Sequence, residues 1–102
     1  MKLCFAKKEY KVFHCIESSN YIVINTKKPF EEGHTHVQHY NTAMYLVDCA
    51  LHKKMPKKVN RYFLVSLTRI SKDTKYKERL QRILDGEEPK EVYVNRPKSV
   101  RR

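Results

Sequence analysis

Glycine is scarce in this chain, with 2 residues in 102, and tryptophan is absent. Loops that cradle the phosphates of a nucleotide carry several glycines in one short turn, because only glycine lets the backbone approach the phosphates closely. Gly33 and Gly86 lie in different parts of the chain and do not form such a loop. The sequence therefore excludes the glycine-rich nucleotide-binding motifs.

Paired cysteines and long apolar runs are also missing. The 3 cysteines, Cys4, Cys15 and Cys49, include no C-x-x-C pair, and an odd number without a pattern argues against disulfides. We therefore expect a reducing compartment. The longest apolar stretch, YFLVSL, is far too short to span a bilayer, and MKLCFAKKEY lacks the apolar core of a signal peptide. These absences predict a cytoplasmic protein with no membrane partner.

Signatures of catalysis are sparse as well. The chain shows no Ser/His/Asp order and no pair of suitably spaced carboxylates. Helical spacing places Cys49 at the polar border of a helix with no base near it in sequence, so we interpret it as a spectator rather than a nucleophile. The sequence favours a binding protein over an enzyme without deciding between them.

Positive charge is concentrated in one half of the chain. The formal net charge is +11. Residues 1–50 hold 6 Lys and Arg against 5 Asp and Glu, a net of +1, whereas residues 51–102 hold 16 against 6, a net of +10. Such asymmetry is typical of proteins that bind DNA or RNA, or an acidic protein surface. A lysine-rich solvated surface without a partner is the alternative.

The first quarter of the chain predicts β-strands. Residues 10–16, YKVFHCI, and 21–26, YIVINT, are rich in β-branched and aromatic residues, which favour strands. The sequence ESSN between them fits a hairpin turn. Residues 2–6, KLCFA, add a third predicted strand, and residues 91–95, EVYVN, a short last one.

Three amphipathic helices are predicted after these strands. Apolar residues recur at helical spacing from about His36 to Lys54, with Thr35 as the N-cap of a capping box. A second helix is predicted to start at Pro56. The third begins after a cap at Asp73 or the next residue and stops at Gly86.

These elements together predict an α+β fold. A small antiparallel N-terminal sheet of two to four strands packs against the three amphipathic helices. A chain of 102 residues is long enough for one core and too short for two. We assign residues 1–95 to a single domain and residues 96–102 to a flexible basic tail.

Basic residues of the last two helices and the tail are the predicted nucleic-acid interface. The third helix would present Lys75, Arg79 and Arg82 as the recognition helix of a helix-turn-helix pair, or these residues are simply a solvated helix face. The full predicted set is Lys57, Lys58, Arg61, Lys72, Lys75, Arg79, Arg82, Arg96, Arg101 and Arg102.

Three histidines lie within the sequence GHTHVQH of residues 33–39. His34, His36 and His39 could be zinc ligands, and zinc is the one cofactor that the sequence suggests. At a helix start, His34 and His36 with Lys27 and Lys28 would instead form an anion site. If the protein is a nuclease, His36 and His39 are its candidate catalytic residues. A helix start with solvated histidines is the remaining alternative.

Composition and pattern together lead to three functional hypotheses. The first is a small basic protein that binds DNA or RNA through the Lys/Arg surface of its C-terminal helices. The second is a small protein of the kind that phages and mobile elements encode, which binds and inhibits an acidic protein partner. The third is a small nuclease that depends on histidine or on a metal.

Overall fold

The computed structural model describes residues 1–86 and has a four-stranded antiparallel sheet followed by three helices, which confirms the predicted α+β class. The strand predicted at residues 91–95 and the basic tail lie outside the described residues. The elements are β1 (Lys2–Lys7), β2 (Tyr10–Cys15), β3 (Asn20–Asn25), β4 (His34–Val37), α1 (Tyr40–His52), α2 (Arg61–Ile70) and α3 (Thr74–Leu84).

The sheet is a simple meander with the strand order β1-β2-β3-β4. Each strand pairs antiparallel with the next, and Val23 of β3 lies opposite both Val12 of β2 and Thr35 of β4. Side chains alternate between the two faces of a strand. Val12, Val23 and Val37 are therefore buried under the helices, whereas His34 and His36 lie on the opposite face of the sheet.

The core fills the space between this sheet face and the three helices. Apolar residues at helical spacing supply the buried faces of α2 and α3. The buried face of α1 also includes Cys49, which the sequence pattern placed at the polar border of that helix. The leucines Leu46, Leu64, Leu67 and Leu80 have no solvent exposure, and burial of each such side chain contributes about 2 kcal/mol.

The first helix starts later than the sequence predicts. Residues 34–37 form β4, and α1 begins at Tyr40 with His39 as its N-cap. Thr35 is not a cap but a buried strand residue, whose hydroxyl donates to Ser66 Oγ of α2 at 2.8 Å. The capping box was wrong because Thr35 and Val37 alternate with the histidines at the period of a strand, which lets this segment pair with β3.

The second helix also starts later than predicted. Pro56 is buried in the connector of residues 53–60, and α2 begins at Arg61. Asn60 is its N-cap, and the Asn60 side chain accepts a hydrogen bond from the Phe63 backbone N–H at 2.9 Å. This cap sets the start of the helix, so the prediction at Pro56 was wrong.

The third helix begins and ends as its sequence predicts. The carboxylate of Asp73 accepts from the backbone N–H of Tyr76 at 2.9 Å, which satisfies one of the free donors of the first turn. Tyr76, Leu80 and Ile83 are buried on one face. Gly86 follows the helix with φ of 83°, a left-handed conformation that glycine adopts without strain.

Among residues 1–86, four non-glycine residues adopt a left-handed backbone conformation. They are Lys8, Ser19, Lys53 and Lys58, with φ between 54° and 60°. Lys8 and Ser19 lie in the turns that follow β1 and β2, and the two others lie in the connector before α2. No helix within residues 1–86 is long and apolar enough to cross a membrane.

Candidate nucleic-acid interface and adjoining cleft

The connector of residues 53–60 runs alongside α3. Near the start of α3, Lys53 Nζ lies 3.6 Å from the Asp73 carboxylate. The hydroxyl of Tyr76 donates to the backbone carbonyl of Lys54 at 2.6 Å. Just past the other end of the connector, the Arg61 guanidinium donates to the Leu84 carbonyl, in the last turn of α3, at 3.0 Å. The two segments are thus tied together at both ends of the helix.

Exposed basic residues lie on both of these segments. We call this set the basic surface: Lys57, Lys58, Lys75, Arg79 and Arg82. Within the described part of the chain, none of the five side chains forms an ion pair or a hydrogen bond. Residues 53–86 hold 11 Lys and Arg against 3 Asp and Glu, a net of +8. The basic surface therefore carries uncompensated positive charge that can attract an anion.

Three of these residues form a stripe on α3. Lys75, Arg79 and Arg82 are exposed, while Tyr76 and Leu80 of the same helix are buried. At 1.5 Å per residue the stripe is about 10 Å long. One strand of B-form DNA advances about 3.4 Å per nucleotide along the axis, so the stripe matches about three phosphates.

Other predicted interface residues take part in internal contacts. Arg61 holds the start of α2 against the end of α3 through its bond to Leu84. Lys72 Nζ lies 3.4 Å from the carbonyl of Lys27, on the loop between β3 and β4. Arg96, Arg101 and Arg102 lie outside the described residues.

One member of the predicted anion site, Lys28, has its ammonium bound within the fold. Lys28 Nζ donates to the carbonyls of Arg69 at 2.7 Å and Ser71 at 3.1 Å, so it satisfies the free carbonyl groups at the end of α2. Burial, followed by the charge of Lys77, lowers the pKa of Lys28. Lys27 is exposed on the same loop. The ammonium of Lys28 is thereby committed to the fold.

His34 has its own internal contacts. Its ring stacks on that of Phe30, with centroids 4.1 Å apart and planes 3° from parallel, and its Nδ1 contacts the Phe30 carbonyl oxygen. Its backbone carbonyl accepts from Arg69 Nε at 2.9 Å. His36 lies edge-on to this ring, with the centroids 5.1 Å apart.

His36 and His39 line a cleft of about 760 Å³, whereas His34 does not. The cleft lies between the end of β4, the start of α1, the connector and the start of α2. Within the described part of the chain, no Asp or Glu belongs to its lining. Sequence analysis did not identify Asn41 and Tyr62 as lining residues, because only the fold brings the starts of α1 and α2 together. Lining residues with a polar side chain include His36, His39, Asn41, Lys58 and Tyr62.

Aromatic rings form part of the walls of this cleft. Tyr62 is 57% exposed, and its hydroxyl donates to the backbone carbonyl of His36, which joins α2 to the end of β4. The ring of Tyr45 packs 5.2 Å from that of Phe63, and its hydroxyl accepts from the backbone N–H of Lys57 at 3.1 Å. The cleft thus combines ring faces with polar groups.

The start of α1 contributes unpaired polar groups to the cleft. His39 is the N-cap, but its side chain makes no capping hydrogen bond. The first four N–H groups of a helix have no acceptor within it. The residues of this first turn that line the cleft include Asn41 and Thr42. Partial positive charge at this position adds to the charge of Lys58, another lining residue, in attracting an anion.

The described residues give no support to a metal site or to a reactive thiol at Cys49. Among residues 1–86, no three His, Cys, Asp or Glu side chains are grouped to hold a metal ion, so the zinc hypothesis for His34, His36 and His39 gains no support there. Cys49 is fully buried rather than at the border of α1, and burial raises its pKa to about 11. Cys49 is therefore a protonated thiol at neutral pH.

No protein-family model, curated protein or solved structure matches this chain. Its function has to be argued from the residues of the basic surface and the cleft.

Proposed function

We propose that this protein binds nucleic acid through the basic surface. The observation that supports it best is the absence, within residues 1–86, of an acidic or hydrogen-bonding partner for any of its five side chains. Lys53 and Lys54 are different, since they pair with Asp73 and Asp48. Unpaired cations are available to replace the counterions that surround a phosphate backbone.

Counterion release gives this proposal a quantitative form. Five phosphate contacts on duplex DNA correspond to a slope of about −4.5 in a plot of log affinity against log salt concentration, and to about −3.5 on a single strand. Between 50 and 200 mM salt the affinity should then fall about 500-fold for a duplex and about 100-fold for a single strand.

The test is fluorescence anisotropy with labelled single-stranded and double-stranded DNA and RNA across this salt range. Binding with a slope near these values supports the proposal. Absence of binding to every probe at 50 mM salt contradicts it and would favour the acidic protein partner, which pull-down and mass spectrometry can then identify. Binding that is insensitive to salt would also contradict a phosphate-tracking surface.

A second candidate function is metal-independent cleavage of RNA. It is favoured by one observation, that His36 and His39 line the same cleft with Lys58 nearby. One histidine would remove the proton of a ribose 2′-OH, and the 2′ oxygen would attack the adjacent phosphorus. The other would donate a proton to the departing 5′ oxygen, leaving a 2′,3′-cyclic phosphate and a 5′-OH end.

Cleavage is tested with labelled RNA and DNA of one sequence in the presence of EDTA. If this second function is present, RNA is cut, DNA is not, and both His36→Ala and His39→Ala abolish the reaction. His52→Ala is the control, because His52 lies at the end of α1, away from the cleft, and pairs only with Asp48. Intact RNA after prolonged incubation removes this candidate and leaves the binding proposal untouched.

A further inference from the structure

The cleft is continuous with the basic surface. Lys58 belongs to the basic surface and also lines the cleft. The residue before it in the chain, Lys57, is joined to another lining residue by the bond from its backbone N–H to the Tyr45 hydroxyl. A strand that follows the basic surface therefore passes the mouth of the cleft.

The volume of the cleft, about 760 Å³, suits a ligand of one or two nucleotides. Sites for small molecules usually measure about 300 to 1,000 Å³. A double helix does not fit into such a space, because its bases are stacked and paired inside the duplex. An unpaired nucleotide that has turned away from its neighbours does fit.

The lining has the polar groups that a phosphate requires. The lining includes Lys58, which carries a cation, and His39 and Asn41, whose side chains carry ring and amide nitrogen atoms. His36 also belongs to the lining, and its ring lies on the outer face of the sheet beside His34. Among residues 1–86, no carboxylate lines the cleft to repel an anion. These lining residues would be a poor match for a cationic ligand, or for a metal ion that prefers oxygen ligands, because they supply a cation and nitrogen atoms rather than carboxylates.

The aromatic part of the lining suits a base. Tyr62 is 57% exposed and its hydroxyl donates to the carbonyl of His36, so the orientation of the ring is restrained before any ligand arrives. Proteins that bind single strands stack unpaired bases on such rings. Stacking does not depend strongly on the identity of the base.

We infer that the cleft receives one unpaired nucleotide of the strand that the basic surface holds, with its base on Tyr62 and its phosphate near His36, His39 and Lys58. This inference rests on the proposed function and extends it to the substrate class: the protein prefers single-stranded to double-stranded nucleic acid. The preference arises because a paired base is not available for stacking.

The first experiment follows the ring protons of the five histidines by NMR while uridine monophosphate is added. The signals of His36 and His39 should shift and saturate. Those of His14, stacked on Tyr21, and of His52 at the end of α1 should stay in place, so they serve as internal controls. Equal shifts in all histidines, or no shift at all, would overturn the inference. Inorganic phosphate is titrated in parallel, and equal affinity for phosphate alone would rule out a nucleotide site.

The second experiment compares two substitutions of Tyr62. Tyr62→Phe keeps the ring but loses the hydroxyl bond to His36 that orients it, so the affinity for a six-nucleotide U or dT strand should fall by only about two- to threefold. Tyr62→Ala removes the ring and should lower it about 10-fold, the typical effect of removing a stacking side chain. Neither variant should change duplex binding. Equal affinity of the Phe and Ala variants for the strand would refute stacking on Tyr62.

The outcomes separate this inference from the proposed function. Salt-dependent binding of long probes without a preference for single strands, and without histidine shifts, leaves the proposed function standing and removes the nucleotide cleft. Failure of every polynucleotide to bind removes both, even if uridine monophosphate enters the cleft. Comparing the U and dT strands shows whether the ribose 2′-OH contributes.

Discussion

Replacing the α3 stripe with neutral residues should weaken binding and reduce its salt dependence together. The variant carries Lys75→Gln, Arg79→Gln and Arg82→Gln. All three side chains are exposed and, within residues 1–86, free of hydrogen bonds and ion pairs, and glutamine has nearly the helix propensity of lysine and arginine. The free energy of unfolding should therefore change by less than about 0.5 kcal/mol.

The size of the effect follows from the number of contacts removed. Each lost phosphate contact reduces the slope of log affinity against log salt by about 0.9 on duplex DNA, so three losses take it from about −4.5 to about −1.8. Between 50 and 200 mM salt the affinity of the variant would then fall only about 12-fold, compared with about 500-fold for the unmodified protein. Anisotropy titrations at four salt concentrations measure both slopes.

A matched control removes the same net charge elsewhere. Lys2, Lys7 and Lys8 lie on β1 and the turn that follows it. Strand β1 is at the opposite edge of the sheet from β4, against which α2 packs. The triple glutamine variant at these positions should keep the full slope. If the two variants lose slope equally, net charge alone governs binding and the argument for α3 is refuted.

Three further predictions concern the fold that carries these surfaces. Asn25 is fully buried at the end of β3, and its Nδ2 donates to the carbonyl oxygen of Ile70, the last residue of α2, at 2.8 Å. Asn25→Ala should therefore lower the free energy of unfolding by about 2 kcal/mol in urea titrations. A change below about 0.5 kcal/mol would contradict this role. Loss of the N-cap of α2 in Asn60→Ala should cost about 1 kcal/mol in the same assay, and Asn60→Asp, which can still cap, should recover most of it. Burial raises the pKa of Cys49 to about 11 and that of Tyr10 to about 12, from ordinary values of 9.0 and 10.0. Because the unfolded chain loses these protons first, the contribution of these two groups to stability should be constant below about pH 8.5. It should then fall by up to about 1.4 kcal/mol per pH unit for each group, and a stability that rises from pH 9 to pH 11 would refute the assignment.

The sequence predicted α3 well because every local signal agreed. The cap at Asp73, the apolar spacing from Tyr76 to Ile83 and the stop at Gly86 all indicated the same helix. Its basic stripe was predicted for the same reason, since residues that alternate with a buried helical face must be exposed. Local patterns are sufficient where one element is specified by its own residues.

The segment that contains the histidines was predicted less well. Thr35 and Gln38 have the spacing of a capping box, and apolar residues at helical spacing follow them. Pairing with β3 and the bond from Thr35 to Ser66 of α2 decide in favour of a strand. Both contacts involve residues distant in sequence, so the local alternation of Thr35 and Val37 with the histidines could not by itself decide between strand and helix.

The cleft could not be predicted, because it is formed by the packing of separate elements. Sequence analysis placed His36 and His39 among the candidate site residues for their chemistry, and both line the cleft. It grouped them with His34 and Lys28, whose contacts lie within the fold. Tyr62 had no local signal, since an exposed tyrosine on a helix is unremarkable until β4 is seen beside it.

At Lys8, Lys53 and Lys58 the backbone conformation favours glycine, whereas lysine supplies a positive charge. Of the four non-glycine residues with positive φ in the described part of the chain, three are lysines, and Lys58 is one of them. A side chain in this conformation costs about 1 kcal/mol relative to its ordinary backbone states, and glycine avoids that cost. At these turns a lysine-to-glycine substitution would relieve the backbone strain, and it would also remove a positive charge. A protein engineered only for thermal tolerance would tend to acquire glycine there, and at Lys58 it would gradually lose the attraction for phosphate that we propose it uses.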